Sequence, residues 1–244
     1  AASGRGVVEA AMQHMSTPPP IHQVLWTSGW DSTFRILDLV LVHRVPVQPI
    51  YLVIRERPSA ALEMAHMDLI REKLAEHCAA AASRLLPTRY YAKDDLKHHE
   101  GIKRAFWNMR RERYLGEQYE WLARLVAQEG LEGVELCVHV DDLFLAFANH
   151  SDFAAFKCFS LPIMSLTKLD MARYALEHGF SDLLELTWFC HDPVDGQPCG
   201  VCAPCRYTKS EGLERRVPAV GPARGLYRRF RRKAVRLFRL SGAI

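Results

Sequence analysis

Four cysteines carry the clearest chemistry in this chain. Cys190, Cys199, Cys202 and Cys205 fall in the run TWFCHDPVDGQPCGVCAPC, where two Cys-x-x-Cys steps share their middle cysteine and a fourth lies nine residues upstream. Gly196, Pro198, Gly200 and Pro204 supply the turns that let sulfurs close in sequence converge on one point. Four thiolates on one centre suit a structural, tetrahedral Zn²⁺; a shell filled by protein sulfur leaves no open position for water, which argues against a catalytic metal. Two disulfides or an iron–sulfur cluster are the competing readings. Disulfides lose weight because no secretory signal accompanies the cysteines.

A second chemical motif lies near the other end, in His22–Phe34, HQVLWTSGWDSTF. Val24, Leu25 and Trp26 form a short apolar run, the mark of a buried strand. Thr27, Ser28, Gly29, Trp30, Asp31 and Ser32 then read as a turn, and Phe34, Ile36, Leu37, Val40 and Leu41 give the following segment a helical apolar pattern. Strand, small-residue turn and helix N-terminus make a cradle for phosphate, because backbone N–H groups and the helix dipole both favour an anion there. Asp31 and Ser32 suit capping of that helix. An ordinary βα loop is the competing reading of the same residues.

These motifs must be positioned by the elements between them. Val47 to Ile54 reads as a second strand, and Ser59 to Ala82 as one long helix with Ser59 as its cap. Thr88 to Ala92 reads as a third strand. Asp94 to Arg113 is polar and charged and is expected to form the site's rim or a mobile loop. Tyr114 to Gln128 is a helix, Val134 to Val140 a strand apolar on both faces except for Glu135 and His139, Leu161 to Met164 a further strand, and Thr167 to His178 a helix opened by Thr167. Alternating strands and helices imply an α/β fold with a doubly wound, mostly parallel sheet, whose ligands bind at the C-terminal strand ends where the 27–32 turn falls.

TSGWDST (residues 27–33) resembles the SGGxDS loop of the PP-loop adenylating ATPases; no Gly-Lys-Ser/Thr follows, so it is not a Walker A loop. Within that superfamily, Thr187-Trp188-Phe189-Cys190 followed by Cys199-Gly200-Val201-Cys202-Ala203-Pro204-Cys205 is similar to the zinc module that closes the 7-cyano-7-deazaguanine synthase (QueC-like) family. Leu161 to Lys168, LPIMSLTK, resembles that family's Pro-rich strand and helix-opening lysine. The resemblance covers residues 22–212. It implies an adenine nucleotide alpha-hydrolase-like domain over 21–186 and a zinc module over 187–220; from composition, residues 1–20, ending in Thr17-Pro-Pro-Pro20, read as a flexible or loosely docked leader and 221–244 as an added basic helical tail.

The resemblance also implies a reaction: a carbon–nitrogen ligase that attacks the α-phosphate of ATP with the carboxylate of 7-carboxy-7-deazaguanine and releases pyrophosphate. The acyl-adenylate then passes to ammonia, giving an amide or nitrile. Backbone amides of Ser28 to Ser32 would hold the phosphates, with the Ser32 and Thr33 hydroxyls as further donors and Mg²⁺ as a bridge. Asp31 would shape the loop or order the metal. Lys168 is the candidate phosphate-facing cation, and Arg55 and Arg57, just past the second strand, are candidates for the same role. Ser28 stands where the family has glycine. Tyr114-Leu-Gly-Glu-Gln118 replaces a Pro-Gly-Arg-Asn turn, and Asp141 to His150 replaces a Tyr-Pro-Asp-Cys segment; both line the acceptor side in the family. Because these differ, an amine of a partner protein is an alternative acceptor, as in family relatives that accompany bacterial antiviral defence genes. A non-catalytic nucleotide-binding module and a tRNA-modifying PP-loop enzyme are the other readings. Trp26 and Trp30 flank the loop as candidates to stack on a purine or to pack in the core.

Composition bounds these readings. The chain has 244 residues, of which 49% are hydrophobic, enough for one α/β domain with a small appended module. No apolar run is long enough to span a membrane. Seven cysteines without a secretory context point to a reducing, cytoplasmic setting, and Cys78, Cys137 and Cys158, in apolar stretches, read as inert core residues. The net charge of +4 combines +8 from residues 221–244, which contain no acid, with −4 from the rest. That tail sets Tyr227, Phe230, Ala234, Leu237 and Phe238 on one helical side and arginines on the other. Its expected occupants are its own domain or a twin subunit in a homodimer, nucleic acid, or an acidic partner protein or anionic membrane.

Overall fold

The computed structural model describes residues 19–219; most of the expected leader and the whole of the expected basic tail lie outside the described residues. Five parallel strands, β1 (His22–Leu25), β2 (Val47–Val53), β3 (Arg89–Ala92), β4 (Val134–Glu135) and β5 (Phe159–Ser160), form one sheet in the order β3-β2-β1-β4-β5. The chain steps outward from β1 to β3 and then returns to the other side of β1, so the winding reverses between β1 and β4. A crevice at the C-terminal strand ends is built into such a reversal.

Side chains alternate across the sheet, and helices cover both faces. Val24, Trp26, Val47 and Tyr51 pack against α1 (Trp30–Leu37), α2 (Ala60–His77), α5 (Lys168–Glu177) and α6 (Ser181–Glu185). Leu25, Ile50 and Leu52 face the opposite way, against α3 (Glu100–Glu112) and α4 (Gln118–Glu129). This two-sided burial explains the near-continuous apolar character of β2. Helix α7 (Ala203–Thr208) belongs to the cysteine segment that follows.

Several elements differ from the sequence reading. The segment expected to be a rim or mobile loop contains α3, whose Ile102, Ala105, Phe106 and Met109 bury one stripe at helical spacing while charges fill the rest. The long helix over 59–82 breaks at Cys78, which is extended (φ −158°), before a further turn at Ala79–Ala82. Ser59 does not cap α2 through its side chain; its hydroxyl donates to Glu63 Oε1 at 2.6 Å. Helix α4 starts at Gln118 rather than Tyr114. The strand expected over 134–140 stops at Glu135, because Val138 N–H turns back to the Leu136 carbonyl at 3.0 Å. The strand expected at Leu161–Met164 falls instead at Phe159–Ser160; Pro162, which has no N–H to donate, lies just past it. Thr167 does cap α5, in a reciprocal capping box with Asp170.

A buried ion cluster fastens α1 beneath the sheet. Arg35 Nε and Nη2 donate to the two carboxylate oxygens of Glu135 at 2.7 and 3.1 Å, and Nη1 donates to Asp38 at 3.0 Å. Tyr174 OH donates to the other Asp38 oxygen at 2.9 Å, and His22 Nδ1 lies 2.7 Å from Glu135. Asp38 opens a wider-wound extension of α1, Asp38–His43, closed by Arg44 in the left-handed region (φ 58°). Removing only the cation strands two buried carboxylates, whereas removing both partners of the bidentate pair leaves fewer. Arg35→Ala is expected to cost about 3–5 kcal/mol in urea unfolding, and an Arg35→Met, Glu135→Met pair to recover most of it.

Candidate nucleotide site and cysteine centre

The loop between β1 and α1 is shorter than the sequence reading, because α1 begins at Trp30. Gly29 is its N-cap and no side chain caps it; Asp31 and Ser32 sit inside the first turn, where the expected capping by their side chains does not occur. The Ser32 hydroxyl instead donates to the Gly29 carbonyl at 3.4 Å. The first turn leaves the N–H groups of Trp30, Asp31 and Ser32 without intrahelical partners, and the helix dipole adds positive potential there. Ser28 is fully buried with φ 53°, a left-handed conformation costly for a side-chain-bearing residue. Its carbonyl accepts the Trp188 N–H at 2.9 Å, which ties the loop to the start of the cysteine segment.

A cleft of about 200 Å³ opens at this loop, over the C-terminal ends of β1, β2 and β4. Thr27, Gly29, Asp31 and Ser32 line one side; Gln118, Tyr119 and Asp142 line another. Tyr119 OH donates to Asp142 Oδ1 at 2.8 Å, and the same oxygen accepts the Phe144 N–H at 2.8 Å. Burial, reinforced by Asp142, pushes the Tyr119 phenol well above its ordinary range, so it stays a neutral donor. Arg57 also lines the cleft, held by the buried Glu63, which also accepts from Tyr51 OH at 2.8 Å. Cys137 lines the floor, and burial raises its thiol well above the usual range, which keeps it unreactive.

Other candidate residues lie elsewhere. Arg55 is exposed and does not line the cleft; Arg57, two residues on, takes that place. Thr33 is fully buried and accepts the Trp26 indole N–H at 2.9 Å, so its hydroxyl is spent in the core. Trp30 lies beneath the Arg216 guanidinium, 4.9 Å from its ring centre, and Trp26 is fully buried under Arg71. Both indoles therefore pack in the core.

Lys168 does not line the cleft but stands behind Asp31, its Nζ 3.1 Å from Asp31 Oδ2 and 3.4 Å from Glu211 Oε2. His139 closes the square, with Nδ1 3.6 Å from Asp31 Oδ2 and Nε2 3.2 Å from Glu211 Oε1. Burial alone would lower the Lys168 and His139 pKa values, but the two carboxylates outweigh it and hold both above their ordinary ranges. Burial would raise Glu211, yet His139 and Lys168 bring it below the usual carboxylate value. Asp31 Oδ1 is buried without a hydrogen-bond partner, although Oδ2 is engaged. Neither His139 nor Glu211 was singled out from the sequence as a site residue. The signal for His139 was its place as a polar interruption of an apolar run; Glu211 gave none.

The four cysteines converge. Their sulfurs all lie within 4.8 Å of one another and are buried, with Cys190–Cys202 and Cys199–Cys205 at 3.8 Å and Cys202–Cys205 at 3.4 Å. A tetrahedron with Zn–S bonds of about 2.3 Å has edges of about 3.8 Å, so the spacing fits that metal. The N–H groups of Val201 and Cys202 point at Cys199 Sγ, and that of Cys199 at Cys190 Sγ, as suits thiolate acceptors. Cys202 and Cys205 flank the start of α7, and the turn after it, Lys209–Leu213, delivers Glu211 to Lys168. Gly212 (φ 82°) packs that turn on α5, where an added Cβ would come within 2.8 Å of Leu169.

A doubly wound parallel sheet, a strand–turn–helix loop at its point of reversal and a four-cysteine centre behind it define a doubly wound α/β protein with a crevice at its switch point. More particularly, residues 141–216 match the family model described as "Queuosine biosynthesis protein QueC", so over that segment the chain is QueC-like. The match takes in Lys168, all four cysteines and Glu211, while the 27–33 loop lies outside it. No curated protein matches the chain. A crystal structure of a 4-thiouridine synthetase–RNA complex with bound ATP is similar over 85% of this chain and 53% of that one, at 13% identity and a TM-score of 0.38. This chain thus spans about half the length of that one. Among the described residues no helix is long and apolar enough to cross a membrane.

Cys202→Ser is expected to lose metal and soluble yield together, read by metal analysis of the purified chain; one full equivalent of retained zinc would show a different ligand set. The charge square sets a pH window. Glu211, below its usual 4.5, contributes stability that is lost as pH falls through its folded pKa; His139, above its usual 6.5, contributes stability that is full below that value and lost as pH rises through the folded one. The margin of wild type over His139→Asn in urea midpoint should be widest near pH 5 to roughly 6.5 and narrow toward pH 8.

Proposed function

We propose that the chain is an ATP-dependent ligase that adenylates the carboxylate of a 7-carboxy-7-deazaguanine-like molecule, releases pyrophosphate and forms a carbon–nitrogen bond with ammonia. The observation that carries this reading is Asp31, a cleft-lining residue with one buried carboxylate oxygen left without a partner while Lys168 holds the other. In this reading the free amides at the start of α1 and the Ser32 hydroxyl hold the phosphates, and Arg57 adds a cation from the β2 side. Mg²⁺ would sit at the orphaned Asp31 oxygen and neutralise charge on the phosphates. The substrate carboxylate attacks the α-phosphorus, the bond to the β-phosphate breaks, and pyrophosphate departs. Nitrogen then attacks the acyl carbon and AMP leaves. Lys168 supports the first step through Asp31 rather than by touching phosphate. The division into a nucleotide unit over 21–186 and a zinc unit over 187–220 is part of the same proposal.

A second reading concerns the acceptor alone. The cleft wall made by Gln118, Tyr119 and Asp142 draws on the two segments that depart from the family pattern, 114–118 and 141–150. A rebuilt wall supports an acceptor other than ammonia, such as an amine of a partner protein. Pyrophosphate release from ATP is the test, with 7-carboxy-7-deazaguanine, with and without ammonium, and with products read by mass spectrometry. An amide or nitrile is expected with ammonium; release that stalls at the adenylate supports the protein-amine reading, and no release overturns both. Asp31→Ala should reduce pyrophosphate release at least 1,000-fold (about 4 kcal/mol) with folding intact, since Glu211 still partners Lys168.

A further inference from the structure

Helix α3 carries a second stripe, opposite its buried one, that the nucleotide site does not use. Lys103, Arg104, Trp107, Arg110, Arg111 and Tyr114 recur at i, i+1, i+4, i+7, i+8 and i+11, the spacing of one helical side. The chain leaves the helix at Arg113, yet the Tyr114 ring returns to within 5.9 Å of the Arg110 guanidinium. That guanidinium also lies 5.2 Å from the Trp107 ring, so one cation is shared between the two rings. Trp107 and Tyr114 are 45% and 66% exposed, whereas Trp26, Trp30 and Trp188 are buried.

Cations outnumber acids on this side: Lys103, Arg104, Arg110 and Arg111 stand against Glu100, which lies three residues before Lys103. Lys103, Arg104 and Arg111 form no ion pair among the described residues, and nor do Lys97 before them and Arg113 after them. The neighbouring acids have their own short-range partners: Glu100 pairs with His98 while also feeling Lys103 and Arg104, Glu112 pairs with His150 and Glu117 with Arg110. An ordinary solvated helix face intersperses both signs and hides its tryptophan. Here an excess of cations alternates with exposed ring faces held by a guanidinium.

We propose that this face of α3 binds single-stranded nucleic acid, with Lys103, Arg104 and Arg111 on phosphates and the Trp107 and Tyr114 rings stacked on unpaired bases. An acidic polypeptide would use the cations and leave the rings idle, and a duplex offers no unstacked base to them. The stripe ends four residues before Gln118, which lines the cleft. A strand lying on it therefore leads toward the mouth of the nucleotide site. The proposal rests on this surface alone and stands or falls apart from the adenylation reading.

The test is fluorescence anisotropy of the full chain with a labelled twelve-nucleotide oligouridylate, followed also by quenching of tryptophan emission. With about four phosphates neutralised, affinity should fall about 50-fold between 50 and 200 mM salt. Lys103→Glu, Arg104→Glu and Arg111→Glu together should weaken binding at least tenfold with an unchanged thermal melt. The basic tail is present in both proteins, so its share cancels. Trp107→Leu should weaken binding about tenfold and abolish most of the quenching. Wild-type affinity in the charge-reversed chain would overturn the proposal. So would equal competition by polyglutamate, which would assign the face to an acidic protein, or by a duplex of the same length.

Discussion

Asp31 and Lys168 stand 137 positions apart in the chain and meet at 3.1 Å in a largely buried setting. That contact is where three separately built pieces come together. The reversal of the sheet sets α1 with its first turn toward the crevice, and the capping box at Thr167 and Asp170 starts α5 so that Lys168 is its first residue. The cysteine segment brings Glu211 against the same ammonium. Charges removed from water are costly when left unpaired, so the two acids and two bases of the square stabilise one another. The loop that faces the cleft is thereby coupled to the four-cysteine segment, which does not itself line it.

The backbone carries a second tie of the same kind. Ser28 holds a left-handed conformation that glycine would adopt freely, and its carbonyl is claimed by Trp188. The Trp188 indole in turn donates to the Cys190 carbonyl at 2.7 Å, within the residue that supplies one sulfur of the four-cysteine cluster. The loop is thus fixed from both ends of the cysteine segment: by hydrogen bonds where the segment begins and by Glu211 where it closes. A serine can stay in the strained region when its surroundings leave it no alternative.

Legibility in the sequence followed the range of the interactions. Cys190, Cys199, Cys202 and Cys205 were readable because their meaning lies in short spacings within one run. The alternation of strands and helices was readable for the same reason, and with it the parallel, doubly wound sheet. Helix α3 was hidden because its apolar stripe is narrow and nearly half of its positions are charged. The length of β4 was hidden because it depends on β5, two residues long, and on a backbone turn at Val138. Arg55 and Arg57 could not be told apart without knowing that Glu63 reaches only the second. Thr33 looked like a phosphate donor until its hydroxyl met the Trp26 indole. His139 and Glu211 acquire a role only through contacts that cross most of the chain.

The register of β1 between β2 and β4 has a consequence for the order in which the molecule is made. Translation delivers the cleft loop early, but the strand that completes its sheet on the far side follows more than a hundred residues later, and Glu211 later still. At about 5–20 residues per second, a nascent chain carries an unclamped loop and an open sheet edge for some ten seconds or more. During that interval Trp26, Trp30 and the edge of β1 lack their final cover, and a chaperone or a neighbouring ribosome's product has access to them. A chain that stops short of Cys205 would never close the clamp, so truncated copies expose the features by which a cell sorts incomplete proteins from finished ones.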